Sequence, residues 1–201
     1  MVNACLRRCQ WHLAGQGLRL QEGSIVDASI IAAPTSTKNK SGEREPEMHQ
    51  TKKGNEWHIG MKLHIGVDET LALIHSLATT AANEHDITQT DQLIHGKEKR
   101  IWGDAGYCGI EKREAHTDRK VEWQIAMRPS KRVKLLEGNP EAALEKEKAS
   151  VRAKMEYAFF YIKRMFGYNK VRYRGLEKNT NRLYLLAGFI NLLRAERYMA
   201  T

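Results

Sequence analysis

A carboxylate between two cations is the first feature of this sequence that could do chemistry. Residues 149–170, ASVRAKMEYAFFYIKRMFGYNK, carry Arg152, Glu156 and Lys163. If the segment is an amphipathic helix, Glu156 lies about 40° and Lys163 about 20° from Arg152 around its axis, so the three side chains share one face. Spacing alone also fits a solvated face, stabilised by a few tenths of a kcal/mol of i,i+4 pairing.

Two aspartates lie where a folded chain could use a carboxylate. Asp27 interrupts the apolar run 24–32, SIVDASIIA, which is typical of a strand buried on both faces. A buried carboxylate costs several kcal/mol unless it is paired or bound to a metal. Asp104 follows a short strand predicted at 100–103, and its flanking glycines would let backbone and ligand come close. Local hydrogen bonds for Asp27 and an ordinary Asp-x-Gly turn for Asp104 remain as alternatives.

Other polar residues are assigned simpler roles. Asp86 precedes a short helix predicted from about Ile87, where it fits an N-cap. His58, His64 and His75 fall on or near predicted strands. Scattered histidines on strands are usually not metal ligands, so we do not expect a histidine metal site.

The predicted elements indicate a mixed α/β domain. Residues 57–67, WHIGMKLHIGV, alternate apolar and polar side chains and form the clearest strand, and a turn at 68–70 returns the chain into 71–79 as an antiparallel hairpin. A further strand is predicted at 121–127. The last predicted element is an amphipathic helix over 183–199 whose buried face comprises Leu186, Phe189, Ile190 and Leu193. This order of elements is that of ribonuclease H-like folds, with a catalytic domain over 23–199 and a short helical segment over 1–22 before it.

Composition favours a polyanionic partner. The 201 residues suit one domain, and 33 Lys+Arg against 24 Asp+Glu give a net charge of +9 and a pI near 9.5. Basic residues concentrate in a predicted exposed loop over 34–55, which includes Lys52 and Lys53, and again at Arg172 and Arg174. We expect these side chains to contact DNA phosphates, although a solvated loop is a close alternative.

Membrane and secreted classes are disfavoured. The first 26 residues hold no apolar run of signal-peptide length, and the longest apolar stretch, 183–193, is too short to span a bilayer. Three cysteines without a CxxC pair indicate neither a disulfide framework nor a zinc ribbon. The sequence therefore predicts a cytoplasmic protein.

Three carboxylates on three elements, joined by a basic surface, suit two-metal phosphoryl transfer. Two Mg²⁺ ions about 3.5–4 Å apart would stabilise the attacking and leaving oxygens of an in-line displacement. Carboxylates are the ligands that such a hard cation prefers, and Mn²⁺ could substitute. In this hypothesis Asp27, Asp104 and Glu156 are the ligands, while Arg152 and Lys163 hold Glu156 or contact the DNA backbone.

The sequence resembles the catalytic region of bacterial insertion-sequence DDE transposases, in the IS-five group of the IS-four-like superfamily. The matching stretches are IVDASIIAAPTSTKN, PEMHQTKKGNEWHIGMKLHIGVD, GDAGYCG and RAKMEYAFFYIKRMFGYNKVRYRGLEKN. The resemblance implies a ribonuclease H-like core with Asp27, Asp104 and Glu156 as the catalytic triad. The family's Tyr-x2-Arg-x3-Glu-x6-Lys signature is matched at Arg152, Glu156 and Lys163, with Ala149 in place of the tyrosine.

This resemblance implies a Mg²⁺-dependent enzyme of DNA transposition and recombination. It would cut the terminal inverted repeats of a transposon and join them to target DNA, working as a homo-oligomer because two DNA ends must be paired. Only 26 residues precede Asp27, whereas such transposases usually carry a further helical region there. The alternative is therefore a truncated, inactive transposase that binds DNA or inhibits a full-length partner. A general nuclease on the same fold is a third hypothesis.

Overall fold

A mixed sheet forms the centre of the chain. The computed structural model describes residues 3–35, 43, 45–134 and 139–199. Its six strands are β1 (Gly23–Ala32), β2 (His49–Lys53), β3 (Glu56–Asp68), β4 (Ile74–Ala81), β5 (Arg100–Gly103) and β6 (Glu122–Ile125). Their order is β2-β3-β1-β5-β6, with β4 also paired to β3. β3 is antiparallel to β1, β2 and β4, whereas β1, β5 and β6 are parallel. The predicted β3–β4 hairpin and the predicted strands are confirmed.

Helices pack against this sheet. They are α1 (Ala4–Gly15), α2 (Thr90–Leu93), α3 (Pro129–Arg132), α4 (Pro140–Phe160) and α5 (Leu176–Met199). The larger core lies between the sheet and the helices α4 and α5, where side chains such as Ile25, Leu63, Met155 and Ile190 are fully or almost fully buried. Among the described residues, no helix is both long enough and apolar enough to cross a bilayer.

The helix predicted over 149–170 has different bounds. It begins at Pro140, directly after the N-cap residue Asn139, whose side chain accepts a hydrogen bond from the Glu141 N–H. After α4 the chain makes one π-helical turn, Tyr161–Met165, and then leaves the helix before Gly167, which has φ of +63°. The wider i→i+5 turn and the left-handed glycine stop the helix short of residue 170.

The predicted buried face of the last helix is partly wrong. Leu186 and Ile190 are buried, but Phe189 and Leu193 are 46 % and 40 % exposed. The buried side of α5 instead includes Asn191, whose amide accepts a hydrogen bond from the N–H of Ile74 and donates one to the carbonyl of the same residue. Hydrophobicity could not reveal this rotation, because a fully satisfied asparagine is as suitable for burial as a leucine.

The predicted loop over 34–55 is wrong in its last part. Residues 49–53 form β2, an exposed strand that pairs with β3. Gly54, with φ of +61°, lies in the turn between them. The polar sequence HQTKK shows no hydrophobic alternation, so only pairing with β3 makes it a strand. Lys38, Lys40 and Arg44, also predicted to contact phosphate, lie outside the described residues.

Candidate active site

The strand register brings two of the predicted aspartates together. β1 and β5 are adjacent parallel strands, and Val26 is aligned with Gly103. The residues that follow this aligned pair, Asp27 and Asp104, are therefore neighbours. Asp104 caps a short 3₁₀ turn by accepting a hydrogen bond of 2.8 Å from the Gly106 N–H. The Asp-x-Gly turn considered above is therefore present, and it orients the carboxylate. Both aspartates line a cleft of about 470 Å³.

A third aspartate, Asp86, lines the same cleft. Its predicted role as an N-cap is wrong, because it is the first residue of the 3₁₀ turn Asp86–Gln89 and the cap position is His85, whose side chain makes no capping hydrogen bond in this described turn. The Oδ1 atom of Asp86 lies 2.9 Å from Nζ of Lys62, on β3. The β3–β4 pairing brings this turn to the cleft, and no local sequence signal indicates it.

Gly106 lies between two of these carboxylates. A Cβ atom at this position would lie 2.9 Å from Oδ1 of Asp104 and 3.7 Å from Oδ2 of Asp86. The first distance is shorter than real Cβ contacts allow, so any larger residue would displace the Asp104 carboxylate. Gly106 was predicted to let backbone and ligand come close. In the structure it lets the carboxylates of Asp104 and Asp86 lie close to the backbone.

The cleft disfavours ionisation of Asp27. Burial, together with the negative charges of Asp104 and Asp86, raises the pKa of Asp27 to about 6. The N–H of Ala28, which donates to Asp27 Oδ1 at 2.7 Å, and the guanidinium of Arg152 oppose this shift only in part. Crowded carboxylates with a raised pKa are the expected result of a site arranged for a cation.

Tyr107 lies beneath the carboxylates. The residue is fully buried, and within the described structure its hydroxyl has no hydrogen-bond partner. Burial and the charges of Asp27, Asp86 and Asp104 raise the pKa of this phenol well above its usual value, so it remains a donor. Gly103 makes room for the ring, because a Cβ there would lie 3.2 Å from the Tyr107 ring.

Helix α4 also contributes side chains to the cleft. Arg152 and Phe159 line it, and Nη2 of Arg152 lies 3.9 Å from Oδ2 of Asp27. Glu156 falls between them on the same face of the helix. It is exposed and is not among the described residues that line the cleft. The structure therefore brings Asp27 and Asp104 together and places Glu156 on the adjoining helix face.

Lysines surround the acidic residues. Lys52 and Lys53 on β2 and Lys62 on β3 line the cleft. Burial and, to a smaller extent, the charge of Lys53 lower the pKa of Lys163. Arg172 and Arg174, also predicted to bind DNA, are exposed and do not line the cleft, and Arg172 donates a hydrogen bond of 3.1 Å to the Gly167 carbonyl.

The carboxylates are chemically suitable ligands for a hard divalent cation, but they are too far apart to bind one ion together. No group of three or more His, Cys, Asp or Glu among the described residues is arranged to hold a metal ion. The aspartates share one cleft with the unpartnered Tyr107 hydroxyl, and carboxylates are the ligands that Mg²⁺ prefers.

An acidic cleft bordered by lysines, on a mixed α/β scaffold, is typical of proteins that act on phosphodiesters. The model of one family, described as Transposase DDE domain, matches residues 19–192. The match covers most of the chain, so this protein belongs to the DDE transposases, within the IS-four-like superfamily. No solved structure matches it.

Proposed function

We propose that the chain is the catalytic domain of an insertion-sequence transposase of the IS-five group, which cuts DNA at transposon ends and joins them to target DNA. The observation that carries the proposal is that Asp27 on β1 and Asp104, which directly follows the adjacent parallel strand β5, line one cleft bordered by lysines. We expect the protein to act in the bacterial cytoplasm as a homo-oligomer that pairs two DNA ends. The ribonuclease H-like assignment is part of the same proposal, and the mixed sheet with its antiparallel hairpin supports it.

Asp27, Asp104 and Glu156 would hold Mg²⁺, or Mn²⁺ in its place. When bound, the cation would stabilise charge on the phosphodiester and lower the pKa of the attacking water or 3′-hydroxyl. Glu156 lies on the same helix face as Arg152 and Phe159, which line the cleft, and this supports its assignment to the same site. Arg152 stands within 3.9 Å of Asp27 and orients that carboxylate.

The lysines would hold the DNA backbone. Lys52 and Lys53 belong to an exposed strand that borders the acidic cleft, and the charge of Lys53 acts on Lys163. Their charges offset the repulsion between phosphates and the aspartates. This arrangement lets a scissile phosphate approach carboxylates that would otherwise repel it.

Nicking of supercoiled plasmid DNA tests the proposed function. We expect the chain to nick a plasmid that carries both transposon ends in the presence of Mn²⁺ and not in EDTA. Glu156→Gln should slow nicking at least about tenfold, since loss of one supporting ligand typically costs that much. Glu196→Gln, an exposed position on α5, is the matched control and should retain the parental rate. A folded parent that binds this plasmid but never nicks it would instead support the inactive, DNA-binding alternative.

Replacing Lys52 and Lys53 together with alanine should weaken DNA binding about tenfold at roughly 100 mM salt. Each phosphate contact contributes about one unit to the slope of log K against log salt, so the slope should become shallower by about two. Fluorescence anisotropy with a labelled duplex measures both quantities. Lys97→Ala, which removes an exposed lysine at the opposite end of β5 from Asp104, should change neither. An unchanged slope in the double variant would show that β2 does not contact DNA.

A further inference from the structure

We infer that Asp86 is an additional ligand of the divalent cation, and that Lys62 is the counter-ion that the cation displaces from it. The inference rests on the proposed function, because it concerns the same cleft. The sequence pattern indicates only Asp27, Asp104 and Glu156 for this role. The structure adds a carboxylate from the turn after β4 and a lysine from β3.

Geometry places Asp86 close to Asp104. Oδ2 of Asp86 and Oδ1 of Asp104 lie 3.7 and 2.9 Å from the position of the Cβ that Gly106 lacks. Asp27 lines the same cleft. The cleft is thus lined by carboxylates from β1 (Asp27), from the turn after β5 (Asp104) and from the turn after β4 (Asp86).

The buried Tyr107 hydroxyl is a second, independent indication of a ligand. A phenol that is fully buried and has no partner among the described residues is unusual, because buried donors are almost always hydrogen-bonded. Tyr107 ends the 3₁₀ turn that Asp104 caps, and its ring lies against Gly103, the residue before Asp104. A bound cation with its water ligands would supply the acceptor that this donor lacks.

Lys62 is the ammonium group that pairs with Asp86 in the described structure. Its Nζ lies 2.9 Å from Oδ1 of Asp86 and also donates a hydrogen bond to the Glu84 carbonyl. Nδ1 of His64 lies 3.9 Å from the same oxygen, which is beyond hydrogen-bond distance. Lys62 therefore occupies an oxygen of Asp86 that the cation would need.

This competition explains why the carboxylates are not yet arranged around one point. Like charges repel, and the Lys62 ammonium holds Asp86 toward β3. A divalent cation would remove the repulsion between the carboxylates and would compete with Lys62 for Asp86.

Calorimetric titration of the full chain with Mn²⁺ tests the inference through two variants of opposite expected effect. Asp86→Asn should weaken Mn²⁺ binding at least about tenfold, as expected for the loss of a ligand. Lys62→Met should strengthen it severalfold, because a competing positive charge is removed. Asp91→Asn, an exposed aspartate paired with Arg119 at 3.3 Å, is the matched control and should bind like the parent. Thermal unfolding of each variant shows that it is folded.

The possible results separate the inference from the proposed function. If the Asp86–Lys62 pair is only structural, both variants should change Mn²⁺ affinity in the same direction or not at all, and the inference fails. Parental affinity in Asp86→Asn with loss of binding in Asp27→Asn would overturn the inference and leave the proposed function intact. A folded parent that binds no Mn²⁺ would overturn both.

Discussion

Replacing Asp104 with asparagine should reduce plasmid nicking at least about 10³-fold, equivalent to about 4 kcal/mol of transition-state stabilisation. Asparagine keeps the oxygen that accepts the Gly106 N–H, so the 3₁₀ turn should persist. What is lost is the negative charge beside Asp27, and with it the affinity of the cleft for a divalent cation. DNA binding should stay within about twofold, because removal of an anion from the cleft does not weaken its attraction for phosphate.

The test for Asp104 compares two quantities, the rate of DNA nicking and the affinity for DNA. Nicking rates and anisotropy-based affinities should be taken on one preparation, with Asp118→Asn as the matched control. Asp118 is exposed in the turn that precedes β6, so its substitution should leave both quantities at parental values. An Asp104→Asn variant that binds DNA and still nicks at the parental rate would remove Asp104 from the chemistry and refute the proposed triad.

Replacing Asp27 with asparagine should stabilise the folded chain above pH 6 by about 1–3 kcal/mol in EDTA, since the pKa of Asp27 is raised to about 6. The folded chain binds a proton at Asp27 up to that pKa, whereas an unfolded aspartate releases it near its ordinary value of 3.8. Between these values the folded state holds more protons, so the free energy of unfolding contributed by Asp27 falls as pH rises. Each pKa unit corresponds to about 1.4 kcal/mol, and asparagine avoids the cost altogether.

Urea unfolding at about pH 4 and about pH 8, on either side of the raised pKa, tests this directly. The gain should be small at the lower pH, where Asp27 is protonated in the folded chain, and fully present at the higher. The introduced asparagine can still accept the Ala28 N–H, and Arg152 still shares the cleft with Asp104 and Asp86. A variant less stable than the parent at the higher pH would show that the Arg152 pair outweighs burial and repulsion. The expected gain in stability with loss of cation binding is the usual trade-off at a functional site.

Several features could be predicted because they depend on local pattern. The alternation in 57–67 predicted β3, and the β-branched run around Asp27 predicted β1, since burial of one or both faces leaves a direct hydrophobic signature. The glycines around Asp104 predicted a turn that presents a carboxylate, and the structure has that turn. The amphipathic pattern of 149–170 indicated a helix with one buried side, and Met155, Ala158 and Ile162 are buried.

Other features left no local signal. β2 is a strand only because β3 supplies hydrogen bonds to its polar sequence, and α5 is rotated because Asn191 is satisfied by the backbone of Ile74. The helix over 149–170 ended early because a π turn widened its last part, which no periodicity of 3.6 residues anticipates.

The sequence by itself determined the family and the main strands, and it indicated Asp27 and Asp104 as candidate site residues. Each of these depends on residue types and their order along the chain. Only the tertiary structure decided which side chains face one another. Parallel pairing of β1 with β5 brings Asp27 to Asp104, and antiparallel pairing of β3 with β4 brings Asp86 to the same cleft. The same structure leaves Glu156 exposed on the adjoining face of α4. Such proximity arises from hydrogen bonds between strands far apart in sequence, and spacing along one segment carries no information about it.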